Sequence, residues 1–273
     1  MFWTRLLSGI VLLAIALATF SFGNVFLAVP LWLISLIAYR ELTLKCATDE
    51  KKFNALEWIG FVGVTAYYAT LFFTRDHTLL LMCIVALFMA EMFCYVAAFP
   101  KYQASQVMAA VFSFLYAPVL LSFVYLTREC ETGIYLVWLI LISSWGCDTC
   151  AYVVGKLIGK KHIFPELSPH KSLEGCIGGV AGAALIGGLY AHFFVEAAFP
   201  DQIITWTIAF ICAAGAVMSM VGDLAASAIK RNHNIKDYGK LIPGHGGIMD
   251  RFDSMTVTAP MTYFLAILMI GLR

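Results

Sequence analysis

Residues 203–229 read IITWTIAFICAAGAVMSMVGDLAASAI, a run of twenty-seven in which Asp223 is the one charge. A helix needs about 20 apolar residues to cross about 30 Å of hydrocarbon, so the run is long enough to span a bilayer. It is continuously apolar, without the alternation of a membrane β-strand. Lipid offers the backbone no hydrogen-bond partner, which leaves the helix as the solution. Eight further stretches read the same way, at 6–22, 24–39, 57–73, 78–98, 106–126, 133–154, 176–197 and 254–272. The sequence predicts an all-α, polytopic integral membrane protein with about nine transmembrane helices. Composition agrees: 61% of the 273 residues are hydrophobic and only 13% charged, against about 25% charged in a soluble domain. A soluble enzyme and a disordered chain are excluded. The net charge of +1 gives no field to hold DNA or RNA, so no nucleic-acid partner is expected.

Orientation follows from Lys and Arg, which collect on the cytoplasmic side of spans. With nine spans, fifteen of the 18 lie on the side of the N-terminus, and only Arg75, Arg128 and Arg273 lie opposite. The N-terminus is therefore expected in the cytoplasm, with the chain integral to the cytoplasmic (inner) membrane. Arg5, an apolar core and the small residues Ala16 and Ala18 imitate a signal peptide. Eight apolar stretches follow, however, and an uncleaved first span is the expectation. Residues 1–130 are read as N-terminal spans, and 131–273 as C-terminal spans carrying a cytoplasmic-face active site. Eight cysteines suggest no framework. Cys147 and Cys150 have C-x2-C spacing, but no second pair completes a zinc site and no βαβ unit supports a redox motif. Cysteines in the apolar stretches act as small hydrophobes.

Ionisable groups deep in a membrane are costly, and Glu91, Asp148 and Asp223 are placed there. Glu91 has no partner in sequence and reads as a protonated or hydrogen-bonded packing residue. Asp223 shares a helical face with Ser227, Lys230 and Arg231. Snorkelling to the interface explains Lys230 and Arg231 but not an aspartate two turns deeper. Residues 232–253 follow as NHNIKDYGKLIPGHGGIMDRFD. Glycines around His245 let the backbone approach a ligand and present N–H groups to an anion. Asp250 and Asp253 are spaced i,i+3 on one face. With Asp223 they form a plausible Mg2+ site of oxygen ligands, and nearby Lys and Arg can hold phosphates. Phosphoryl or nucleotidyl transfer needs this combination.

The stretch from Ser227 to Asp253 resembles the signature of the phosphatidate cytidylyltransferases, the CDP-diacylglycerol synthases. Its pattern is S-x-φ-K-R, four residues, K-D, a small residue two further on, then an apolar-P-x-H-G-G-φ-x-D-R-φ-D ending. Upstream, Asp148, Tyr152, Gly155 and Lys156, followed by Ser168-Pro169-x-Lys171-Ser172-x-Glu174-Gly175, are similar to that family's preceding cytoplasmic segment. The first 130 residues resemble it only in being apolar spans. The resemblance implies a nucleotidyltransferase of phospholipid biosynthesis that takes CTP and phosphatidic acid to CDP-diacylglycerol and pyrophosphate. It implies Asp223, Asp250 and Asp253 as metal ligands or supporting carboxylates, and Ser227, Lys230 and Arg231 as phosphate holders. Lys236, Asp237 and His245 belong to the same signature, and the resemblance counts them among the catalytic residues. Mg2+, K+ beside it, and a homodimer are implied in the same way. The substrates fix a place: lipid comes from the bilayer and CTP from the cytosol, so the site belongs at the cytoplasmic interface.

The segment 155–175 admits two readings. Its basic residues can signal topology and touch anionic lipid, or Ser168, Lys171 and Ser172 can contact the triphosphate or lipid phosphate, with Asp148 beside them as a substrate-binding residue. Gly178 and Gly182 read as helix packing. Residues 40–57 read as a solvated cytoplasmic connection. Three other function classes are weaker. A CDP-alcohol phosphotransferase would carry an Asp-Gly-x2-Ala-Arg stretch, absent here. A transporter would show matching halves with interrupted segments. A scaffold would not need the acidic, basic and glycine constellation. Of the 35 charged residues, 24 fall in 40–57, 148–174 and 223–253, so scarce charge is concentrated charge.

Overall fold

Helices form where the apolar runs lie. The computed structural model describes residues 2–46, 53–169, 171–199, 204–241 and 246–271; in the first helix it describes side chains only at 9, 11 and from 13 onward. Among these residues the helices are α1 (Phe2–Phe22), α2 (Asn24–Cys46), α3 (Ala55–Phe73), α4 (His77–Ala97), α5 (Ala104–Glu129), α6 (Gly133–Ile158), α7 (Leu173–Ala198), α8 (Ile204–Asn232) and α9 (Met249–Ile270). Eight of them, α2 to α9, are long and apolar enough to cross a bilayer, and α1 adds a shorter apolar stretch, Leu13–Phe22. No named strand occurs among the described residues. The chain is an all-α integral membrane protein. The outward face of α4 shows why: Leu81, Met82, Val85, Met89, Phe93 and Val96 are all more than half exposed. Water would penalise so much apolar surface, whereas lipid does not.

Three spans carry a π-helical turn: Leu115–Val119 in α5, Ile142–Gly146 in α6 and Ala191–Val195 in α7. The first contains Pro118, which has no N–H to donate to the helix ladder. Caps mark several starts. The Asn54 side chain accepts the Glu57 N–H while Glu57 returns to the Asn54 N–H, a closed capping box on α3. Asp76 accepts the Thr78 and Leu79 amides at the start of α4. One residue, Gly23, links α1 to α2 at φ +62, a left-handed conformation glycine adopts without strain.

The chain sorts into two compact units. One comprises Met1–Tyr125 with Ile235–Arg251, the other Leu126–Asn234 with Phe252–Arg273. In the first, buried hydroxyls tie spans together: Ser35 to Tyr68 at 2.7 Å, Tyr67 to Ser122 at 3.0 Å, and Tyr68 to the Pro118 carbonyl at 3.2 Å. The stretch read as a solvated connection behaves differently. There α2 runs on to Cys46, Glu41 and Glu57 are buried, and Arg40 pairs with Glu57. Charge pattern alone read these residues as surface; what overrides it is partners inside the unit, Arg40 for Glu57 and backbone amides for Glu41. Residues 47–52 lie outside the described ones.

The second unit has an apolar core of Leu136, Leu139, Val195, Ile208, Ile211 and Cys212 with their neighbours. Here α6 and α7 pack through glycines. A Cβ on Gly178 would collide with Val154, and one on Gly182 with Cys150. That is the packing role expected for the Gly178–Gly182 pair. All eight cysteines are free thiols.

Candidate active site

In the second unit, α6 presents Asp148, Ala151, Tyr152, Gly155 and Lys156 along one side of a cavity of about 470 Å³. Their spacing of three, four, seven and eight residues from Asp148 is one helical face. The opposite wall comes from Ser168, Lys171, Ser172 and Gly175. All four residues expected to meet substrate, Asp148, Ser168, Lys171 and Ser172, therefore line one cavity. Its volume lies in the range of ligand pockets, about 300–1,000 Å³.

The loop that closes this wall is built rather than loose. Gly159 ends α6 by donating to the Gly155 carbonyl. An isolated antiparallel bridge joins His162 to Ser172, flanked by Leu173 N–H to Lys161 O at 2.8 Å and Ile163 N–H to Lys171 O at 3.4 Å. Glu174 Oε2 accepts the Lys160 and Lys161 amides at 3.0 and 3.2 Å. Ser172 caps α7 by accepting the Gly175 N–H. A Cβ on Gly155, Gly159 or Gly175 would crowd the Ser172 hydroxyl. These glycines let α6, the loop and α7 close around one serine.

The basic run of this loop divides by direction. Lys156, Lys160 and Lys161 are exposed. Lys171 turns inward, 13% exposed, and its Nζ donates to Asp223 Oδ2 at 2.7 Å. That ion pair brings α8 to the cavity wall. Further along α8, Ser227 and Lys230 are half-buried and Arg231 is exposed. Beside Asp223, Gly222 has room for no side chain: a Cβ there would meet the Asp253 carbonyl and the Ser254 Cα. The backbones next to Asp223 and at Asp253 thus approach closely. Asp253 is buried and its Oδ1 accepts the Ser254 N–H at 2.8 Å. Among the described residues no group of three or more His, Cys, Asp or Glu side chains gathers into a metal-binding cluster.

In the first unit the described parts of the signature, 235–241 and 246–251, lead into α9. Asp250 Oδ2 accepts the Tyr238 N–H at 2.8 Å and the Gly247 N–H at 3.0 Å, closing the loop on the helix that follows it. Gly246 sits at φ +86, where side chains are strained. Lys236 and Asp237 are exposed. His245 lies outside the described residues. The residue that sequence reasoning missed is Glu41. Its Oε1 and Oε2 accept the Ile248 and Met249 amides at 3.1 and 2.8 Å. Nothing in the local sequence signals a partner 207 residues away.

Glu91, in α4, is fully buried, and neither carboxylate oxygen has a hydrogen-bond partner among the described residues. Of the two packing roles expected for it, the hydrogen-bonded one is not formed.

A cytidylyltransferase family model matches residues 3–269 of the chain. A phosphatidate cytidylyltransferase of Haemophilus influenzae is 38% identical over 139 residues, spanning 50% of this chain and 48% of the relative. One from Staphylococcus haemolyticus is 29% identical over 281 residues, 97% of this chain and 99% of the relative. One from Thermotoga maritima is 37% identical over 165 residues, 59% and 61% of the two chains. The chain is thus matched along about half of the first relative and nearly all of the second.

Proposed function

We propose the chemistry of these residues from one premise: the chain belongs to the cytidylyltransferase family. It is an integral membrane enzyme, a phosphatidate cytidylyltransferase that makes CDP-diacylglycerol from CTP and phosphatidic acid. A phosphate oxygen of the lipid bonds to the α-phosphorus of CTP. The bond from that phosphorus to the bridging oxygen breaks, and pyrophosphate leaves with the electrons.

The observation that carries the assignment of groups is the cavity between α6 and α7, lined by Asp148, Ser168, Lys171 and Ser172. Lys171 neutralises Asp223 and, with Lys156, sets a cation on the cavity wall for incoming phosphates. The hydroxyls of Ser168 and Ser172 offer donors beside it. Along α8, Ser227, Lys230 and Arg231 hold further phosphate oxygens. Lys236, Asp237 and His245 complete the signature. Holding both reactants in line supplies much of the rate, since phosphoryl-type transfer depends on positioning and charge stabilisation.

The reaction in this reading is metal-dependent. Mg2+ commonly takes one or two carboxylates and completes its shell with water and substrate phosphate. Asp223 and Asp253 are the carboxylates assigned to that role, and the backbones at Gly222 and Asp253 approach closely. Asp250 is assigned the same chemistry by its place in the motif. Mg2+, when bound, draws charge from the phosphorus under attack and neutralises the leaving oxygen. The K+ that the resemblance adds is assigned to no residue. We place the enzyme in the inner membrane as a homodimer, with the cavity facing the cytoplasm. The Lys and Arg bias and the cytosolic source of CTP support that orientation.

The test is direct. Purified protein with phosphatidic acid, labelled CTP and Mg2+ yields labelled CDP-lipid. Chelation by EDTA stops product formation and added Mg2+ restores it. Asp253→Asn lowers kcat by about a hundredfold or more, the usual loss when a charge stabiliser is removed. Undiminished product in EDTA or with Asp253→Asn would contradict the assignment.

A further inference from the structure

We infer that Glu41 is a positioning residue for cytidylyl transfer, fixing Gly247, Ile248 and the first turn of α9 from the far end of α2. The inference rests on the transfer reading above. Glu41 is 8% exposed, in the penultimate turn of α2, and it spends both carboxylate oxygens on consecutive amides, those of Ile248 and Met249. The first N–H groups of a helix have no partner within it, and a neighbouring Ser, Thr, Asp or Asn ordinarily accepts one of them. Gly247 and Ile248, which precede α9, have no side chain that can accept. Glu41 supplies the missing acceptor, and its negative charge suits the positive end of the helix dipole.

A cap needs no such reach if its task is only to start a helix; an Asp at position 248 would serve. Drawing the acceptor from α2 instead ties the loop to another span. The glycines of the signature fit this role. A Cβ on Gly239 or on Gly247 would run into the Glu41 carboxylate, so both positions leave room for it. Asp250 completes the arrangement from the other side. Its Oδ2 takes the Gly247 and Tyr238 amides, so two carboxylates hold three consecutive amides, 247 to 249. Asp250 is itself assigned to the reaction. An anchor that sets its helical turn therefore sets the reacting geometry, where a misplacement of about 1 Å costs up to a hundredfold in rate.

Glu41→Gln in the full-length purified protein is the first test. The amide keeps the shape but can accept only one of the two N–H groups. We expect kcat to fall by about tenfold or more with KM for CTP unchanged, the split of an interaction that acts on the transition state. Amide hydrogen exchange at 246–249 should quicken, with exchange in α3 to α8 as in the wild type. Gly247→Ala presses on the same carboxylate from the opposite side and should reproduce both changes, so the inference stays testable if Glu41→Gln fails to fold. Restoring the acid as Glu41→Asp, too short to reach both amides, should not rescue kcat. An active wild type with unchanged kcat or unchanged exchange in these variants overturns the role of Glu41 alone. A wild type that makes no CDP-lipid overturns the transfer reading and the positioning role with it, while the exchange result still reports whether Glu41 holds the loop.

Discussion

Lys171 shows what a single side chain decides. Its neighbours in the loop, Lys160 and Lys161, point to solvent, and only Lys171 turns inward to Asp223. If it holds the triphosphate, Lys171→Met raises KM for CTP by about tenfold, while the elution profile and helical signal stay those of the wild type; a tenfold change corresponds to about 1.4 kcal/mol of lost binding. An unchanged KM would assign the cavity to something other than CTP. Glu91 makes the opposite case. A buried polar group without a partner costs about 1–3 kcal/mol, and among the described residues Glu91 has none. Glu91→Met should raise the melting temperature and leave transfer activity intact. Lost activity would instead give Glu91 a part in the reaction.

At the scale of elements, α6 and α7 are held together by absent side chains. Gly178→Leu would force Val154 aside and Gly182→Leu would force Cys150 aside; overpacking of this kind costs about 1–3 kcal/mol. Both substitutions should lower the melting temperature, and because the same helices wall the cavity, activity should fall with it. Unshifted melting would mean that the two helices part easily. The spans themselves were legible from sequence, because continuous apolar runs of this length have one solution in lipid. Asp148, Tyr152, Gly155 and Lys156 stood out by resemblance but not as one helical face, because the apolar run ends near 154 whereas α6 continues to Ile158. Other features were not legible. The inward turn of Lys171 depends on the bridge between His162 and Ser172, a pairing invisible in a run of basic residues. The burial of Glu41 and Glu57 depends on partners brought by tertiary packing, so a charged stretch looked solvated. The π-helical turns have no periodic signature either, apart from the proline in α5.

At the scale of the whole molecule, orientation and chemistry go together, because CTP reaches the cavity only from the cytosol. The orientation we propose from the Lys and Arg bias puts the link between α6 and α7 in the cytoplasm and the link between α3 and α4 outside. In a background without native cysteines, Lys161→Cys should react with a membrane-impermeant maleimide only in inverted vesicles. Asp76→Cys, at an exposed position, should react in intact cells. The reverse pattern would place the cavity on the wrong side for cytosolic CTP.

The central claim is that this chain breaks CTP between its α- and β-phosphorus and passes the cytidylyl group to a lipid phosphate. The measurement that meets it most directly uses purified protein, phosphatidic acid and two preparations of CTP, one labelled at the α-phosphorus and one at the γ-phosphorus. The α-label should enter the lipid fraction as CDP-diacylglycerol, and the γ-label should appear only in pyrophosphate, in equal amounts. A γ-label in the lipid, or no labelled lipid from either preparation, would contradict it.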